Sequence, residues 1–541
     1  MKQQIMNKIN KLAIILVGVF LFTSCENLLE DYLDVNRNPN VSTSNIATEA
    51  LPVIVFYASQ INYDHAEYGT YLSQALTTGG RSQSTSYAYK SGWQFLTMNR
   101  HPQWRRHFYD IGVNTNYLLE DVAKTNSRNF ELIARSIRLM STQLTTDMFG
   151  DMPLSEAYKG NSPVYDTQES IYAWMLEEAD ELIALYEDTS VTNAEHNIPI
   201  TTSMDRIYEG DMEKWKQFTK AIKARILLRK LPNWENTPAV CNQIISLVNE
   251  VLIKWDEPRY QYPGGVAERN CPWGPSQPSV NGWESRKNEL DAAIPSKFLL
   301  VDMMGLLPRP LPTGPSDDPR LPKLMSPRPA PNGTGANIYR YLENNYGMDA
   351  TFRATNYPDL YKSIWTTNTS YIPLITTEEL LFIKAEAQYW NNDKSGAFET
   401  TKEAVQYNFD RLEVLPVHAN RFFNNNKYLP QSDFNIGHLM RQKYVAMYLQ
   451  PEQWTDMRRY AYSNDFNEIK YDGVAIYPTL RRPYNLYEPY WGTRADKNGA
   501  WIQRINYDPE TEEKYNRQEL ERLGAFRNPE WLKKPMIWGR Q

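Results

Sequence analysis

The chain has 541 residues and a formal net charge of −6. That length allows a large core or several domains, and no basic field invites nucleic acid. Its 36 Tyr and 15 Trp are rings for a core or for stacking surfaces, while its six His show no metal-ligand spacing.

The N-terminus reads as an address. Lys2, Lys8 and Lys11 precede an apolar run from Leu12 to Phe22, too short for a comfortable membrane span. Phe22-Thr23-Ser24-Cys25 follows directly and resembles a bacterial lipobox, in which small residues precede a Cys that is diacylated. Residues 1–24 are therefore read as a signal peptide, and 25–45 as lipidated Cys25 plus a polar tether. Within the tether Asp34 to Asn45 mimics a calcium loop, but Pro39 stands at the required Gly and Asn45 at the bidentate Glu. No metal is predicted there. Cys241 and Cys271 are the other thiols, and both a bond between them and two free thiols stay open.

From residue 46 onward the text is helical. Residues 46–78 carry Leu51, Val55, Ala58 and Ile61 on one face. A polar loop, 79–98, holds Tyr87, Tyr89 and Trp93. Residues 103–124 and 129–148 form a hairpin, closed by the Gly-containing turn of DMFGDMP. Helices follow at Gln168–Tyr186, Trp215–Leu231 and Val240–Leu252. From Trp255 to Tyr371 periodicity disappears and Pro, Gly and Trp accumulate. A stretch this long without regular structure is functional or disordered, and its aromatic content argues for order.

Helical text resumes at Thr376. Thr376 and Glu379 have capping-box spacing. Leu380, Ile383, Ala387 and Trp390 recur on one face, and Asn391 to Asp393 break the run before a second helix. Ala385, Ala397 and Ala404 then fall where the small positions of a tetratricopeptide repeat would let two helices approach. Lys384, Gln388, Thr401 and Phe409 do not match that repeat's large positions, so an ordinary amphipathic hairpin is the alternative. A further helix spans Asn435–Leu449, and Trp454 and Arg458, one turn apart, read as packing residues.

These pieces, in order, carry a resemblance. The lipobox Cys, LDVNRNP, DMFGDMPLSEA, DPRL, EELLFIKAEA and WTDMRRYAYS together resemble the SusD/RagB family, nutrient-binding outer-membrane lipoproteins of Bacteroidetes. Arg482-Pro483-Tyr484 and Ile537-Trp538 echo that family's terminal pattern only loosely. The resemblance implies a mainly α fold: one domain over 46–541, tetratricopeptide-like hairpins as scaffold, and a loop-rich insertion at about 255–371. It also implies a surface lipoprotein that hands oligomers to a SusC-like TonB-dependent transporter.

A non-catalytic binder without cofactor is the reading favoured over an enzyme. GxSxG, HExxH, P-loop and CxxC motifs do not occur. Glu284, Glu289 and Asp291 beside Trp283 could make a glycosidase pair, but fit solvated surface charges better. Sugar rings stack on Trp and Tyr while hydroxyls take hydrogen bonds from Arg and Asn. The loops supply Arg81, Tyr87, Tyr89, Trp93, Trp273, Asn281, Trp283 and Arg286 for this purpose. The set favours an oligosaccharide and leaves an oligopeptide open.

Overall fold

A computed structural model describes residues 47–79, 88–95, 101–277, 289–307, 316–330, 336–348 and 354–539. Contacts divide the chain into two units, Met1–Ile46 and Ala47–Gln541, and every described residue belongs to the second. Cys25 and the tether lie outside the described residues.

The scaffold is a run of helices in which each packs on its predecessor. These are α1 (Ala47–Leu72), α2 (Asn114–Thr125), α3 (Arg128–Phe149), α4 (Gln168–Glu187), α5 (Met212–Leu228), α6 (Pro238–Ile253), α7 (Thr377–Trp390) and α8 (Lys394–Arg411). The pairs α1–α2, α3–α4, α4–α5, α5–α6, α6–α7 and α7–α8 all touch, and α1 also lies along α3. Nearest-neighbour stacking of this kind is how helical repeats bury faces that no single hairpin could bury alone. Sequence periodicity placed most of these helices to within a few residues, but it ran the first on to 78, whereas the helix ends at Leu72 and Leu76–Thr78 is a strand. It did not reveal the π-helical turn Arg106–Val113 inside the predicted 103–124 helix, nor the helices α9 (Pro416–Asn425) and α11 (Glu452–Arg459), which flank α10 (Ile436–Ala446).

The hairpin α7–α8 forms as its residues dictate. The Thr376 hydroxyl accepts from the Glu379 N–H at 3.2 Å and caps α7. The reciprocal half of a capping box is absent, because the Glu379 carboxylate forks onto Arg225 at 2.6 and 2.9 Å. Asp393 caps α8 through the Gly396 N–H. Ala385, Ala397 and Ala404 are all fully buried, so the small side chains do lie at helix contacts. At the end of α3, Gly150 has φ +89°, a value that side chains with a Cβ rarely adopt.

A buried ionic network ties the helices to the C-terminal segment. Arg229, the C-cap of α5, lies 2.9 Å from Asp147 of α3 and 2.6 Å from Glu452 of α11. Lys443 and Arg459 meet Asp456, and Arg459 also forks onto Glu386. The Trp538 indole donates to Asp147 at 3.2 Å. Burial would raise the Glu452 carboxyl, but Arg229 and Arg225 outweigh it and hold the group well below the usual range. Arg458 stacks over Trp454 at 3.6 Å, so this pair is packing, as its spacing suggests.

The described part of the loop-rich insertion is held by short ladders. Arg259–Gln261 pairs antiparallel with Tyr371–Pro373 and so brings the two ends of the insertion together. Leu76–Thr78 pairs with Ala293–Pro295, and Arg328–Pro329 with Asn337–Ile338. Cys241 and Cys271 are both buried and are not bonded to each other, which settles that question.

Candidate functional site

The ladder between Leu76–Thr78 and Ala293–Pro295 positions a polar cavity. Just before it, Gln74 donates to the Arg481 carbonyl at 2.8 Å. Just after it, Lys297 N–H donates to the Leu342 carbonyl at 2.7 Å. Three loops thus meet around a cavity of about 430 Å³, among whose lining residues are Lys297, Asp302, Glu343, Asn344, Arg481 and Arg494.

Tyr484 lines the cavity, and Tyr346, outside the lining, packs against it from a fixed turn. Asn345 adopts φ 56°, a left-handed conformation that asparagine tolerates. Its amide donates to the Tyr484 carbonyl at 2.8 Å, and the Asn485 amide donates back to the Asn345 carbonyl at 2.9 Å. This reciprocal clamp sets Tyr346 edge-on to Tyr484, with ring centroids 4.9 Å apart. The Arg494 guanidinium covers the Tyr484 ring at 3.8 Å. Tyr346 itself is 56% exposed, a ring held out into solvent by a rigid backbone.

Charge within the cleft is finely divided. Lys297 and Glu343 pair at 2.8 Å. Burial pushes the Asp302 carboxyl up to about 6, against the pull of Lys297 and a Thr479 hydrogen bond. Arg481 makes no ion pair among the described residues; its guanidinium lies 4.4 Å from the Phe466 ring. The Asn344 amide is buried at the wall, and neither its oxygen nor its nitrogen has a hydrogen-bond partner among the described residues. Such groups are costly to leave unmade and are suited to reading hydroxyls.

The sequence-predicted residues fare differently. Arg81, Tyr87, Asn281, Trp283 and Arg286, and the Tyr89 side chain, lie outside the described residues. Trp93 and Trp273, expected as open stacking faces, are buried instead, at 0% and 4% exposure. The reason is energetic: an indole buries roughly 150–250 Å², worth about 4–6 kcal/mol at ~25 cal/mol per Å², so a loop gains by turning it inward. Trp273 packs edge-on to Tyr63 at 4.7 Å, its loop folded back by Cys271 N–H on the Asn368 carbonyl.

Trp93 packs on Trp491 and Trp501, and its carbonyl accepts from the Trp491 indole at 3.0 Å. The Trp491 carbonyl in turn holds Arg482 in the cleft wall. Trp93 is therefore a support behind the cleft.

Glu289 and Asp291 are also engaged. Glu289 lies 3.0 Å from buried Lys90, which also pairs with Glu67, and Asp291 accepts from the Tyr361 hydroxyl at 2.9 Å. Glu284 lies outside the described residues.

Sequence reasoning missed Tyr346, Glu343, Asn344, Lys297, Asp302 and Arg494. One signal was available. Asn344-Asn345-Tyr346-Gly347 is a tight-turn sequence with an aromatic at its tip.

Comparisons with known proteins agree with this architecture. Similar solved structures include a protein titled as chitin-binding, 17% identical with TM-score 0.64, covering 92% of this chain and 100% of that one. A SusD/RagB family protein from Bacteroides thetaiotaomicron is 16% identical with TM-score 0.64, over 92% and 100% of the two chains. A SusD homolog from Parabacteroides distasonis is 18% identical with TM-score 0.64, over 91% and 98%. At such identities the likeness is one of fold. No curated protein matches the chain in sequence. A family profile does: the SusD-like family described as "Starch-binding associating with outer membrane" matches residues 37–475. The chain belongs to the SusD-like family, whose description is of carbohydrate binding and outer-membrane association.

Proposed function

We propose that this protein is a cell-surface lipoprotein, anchored through Cys25, that captures oligosaccharides without cleaving them. It then passes them to a SusC-like TonB-dependent transporter in the outer membrane. The observation that carries the binding reading is the exposed Tyr346 ring, fixed by the Asn345–Asn485 clamp against Tyr484, which lines a polar cleft. A sugar ring stacked on Tyr346 would bring its hydroxyls to Asn344, Glu343 and Arg481. Aromatic platforms with a few fixed polar groups give orientation and modest affinity, which suits a protein that must release its load. The family description supports the ligand class and the outer-membrane association. The fold likeness to a protein titled as chitin-binding is consistent with it.

The experiment is a calorimetric screen with maltoheptaose, chitohexaose and a mixed oligopeptide library. Bound saccharides are then recovered and their length checked. Saccharide binding with the oligomer returned intact is expected. Selective binding of peptides, or shortened oligomers, would contradict the proposal.

A further inference from the structure

A second depression, away from the Tyr346 cleft, is built from the α5–α6 turn, the end of α7, the 470–472 turn and the C-terminal segment. Its volume is about 640 Å³, and Asn233, Trp234, Trp390, Lys470, Asp472 and Ile537 are among its lining residues. Trp234 is the one tryptophan among the described residues that is exposed, at 36%. The Trp390 ring is half-buried. Two indoles therefore border one open concavity.

Both rings are held from behind. Trp234 rests edge-on against Tyr172, with centroids 5.6 Å apart. Its backbone N–H donates to the Lys230 carbonyl at 3.1 Å. Next to it, the Asn233 amide donates to the Arg459 carbonyl at 2.6 Å, which ties the turn to the buried ionic network. The Trp390 indole N–H donates to the Tyr460 hydroxyl at 3.1 Å, and that hydroxyl donates to Glu386 at 2.7 Å. At the rim Lys470 is exposed with no ion pair among the described residues, while Asp472 accepts from Lys394 at 2.7 Å.

We propose that the Trp234–Trp390 depression is a second saccharide-binding site. A surface indole costs burial energy that this fold secures for nearly every other Trp. Here it is pre-positioned by a Tyr edge and a tied turn, so little ordering is lost when a ring stacks on it. The rim offers Lys470 as a donor with no ion pair among the described residues, and Asp472, whose charge Lys394 already meets, as an acceptor. Hydroxyl-rich rings can use both a donor and an acceptor beside the two indoles. The depression is wide and open, so an oligomer can lie across it.

The site stands on its own residues and shares only its ligand class with the reading above. The test uses the full-length protein labelled with 5-fluorotryptophan and followed by fluorine NMR, with Trp234→Phe assigning the Trp234 resonance. Chitohexaose or maltoheptaose is expected to shift that resonance, and to do so equally in Tyr346→Ala. In affinity electrophoresis Trp234→Ala should lose at least about threefold in retention, the lower range of one aromatic contact, with an unchanged melting temperature.

A Trp234 resonance that neither sugar moves would overturn the proposal. So would a shift that disappears in Tyr346→Ala, since it would then report the cleft. Loss of transporter recovery in Trp234→Ala with saccharide retention intact would overturn it too, and would assign the patch to protein contact. Failure of the cleft reading alone looks different: Tyr346→Ala binds normally while Trp234 still responds.

Discussion

Asp302 shows how one side chain carries both stability and charge in the cleft. Its carboxyl is pushed up to about 6, chiefly by burial, from an ordinary 3.8. A raised carboxyl binds its proton more tightly when folded than when unfolded. Its contribution to stability is therefore full below about 3.8 and is lost as pH rises through about 6. Asp302→Asn keeps the shape and removes the ionisation. The variant should melt higher relative to wild type at pH 7.5, with the difference shrinking towards pH 4. A difference that does not vary with pH would show that Asp302 does not titrate in this range. Nothing at the sequence level marked Asp302, because Glu343 and Thr479, which meet it, come from distant parts of the chain. Trp93 and Trp273 mislead for the same reason: local sequence shows a polar or Pro-rich loop, and the rings that cover them lie far away, at 491, 501 and 63.

At the scale of elements the sequence is far more informative. Helical periodicity locates α1 and α3 to α8 because apolar residues recur in each at helical spacing, a local pattern, even where α1 and α3 are buried on almost every side. The alanines at 385, 397 and 404 identify the close contact of α7 and α8 even where the repeat's large positions fail. Ala385→Leu should overpack that contact and cost about 1–3 kcal/mol, read as a lower urea midpoint. An unchanged midpoint would remove Ala385 from the helix contact. The ionic network is opaque in sequence, since Arg229 lies 82 residues from Asp147 and 223 from Glu452. Glu452→Ala leaves Arg229 with Asp147 and Arg225 with Glu379 but removes one negative charge from the buried network, and should cost about 3–5 kcal/mol. A loss no larger than that of an exposed ion pair, below about 1 kcal/mol, would show the network to be solvated.

For the whole molecule, the helical stack provides a frame, and the insertion together with the 465–494 segment walls the proposed ligand cleft. The ends of that insertion are clamped by the Arg259–Gln261 and Tyr371–Pro373 ladder, so loops of low regularity are still fixed in place. The proposed anchor makes a separate demand. Cys25→Ala should release the protein from membranes, because none of the described helices is long and apolar enough to cross one. A variant that stays membrane-bound in cells lacking the transporter would contradict lipid anchoring.

The central claim is that the Tyr346 cleft holds saccharide by stacking on a pre-positioned ring. Calorimetric titration of wild type and Tyr346→Ala with the best oligosaccharide of the screen, alongside thermal melting, tests it most directly. The account predicts at least about a fivefold loss of affinity, roughly the upper half of one aromatic contact, with the melting temperature unchanged because the ring is exposed. Equal affinity in the two proteins would contradict it.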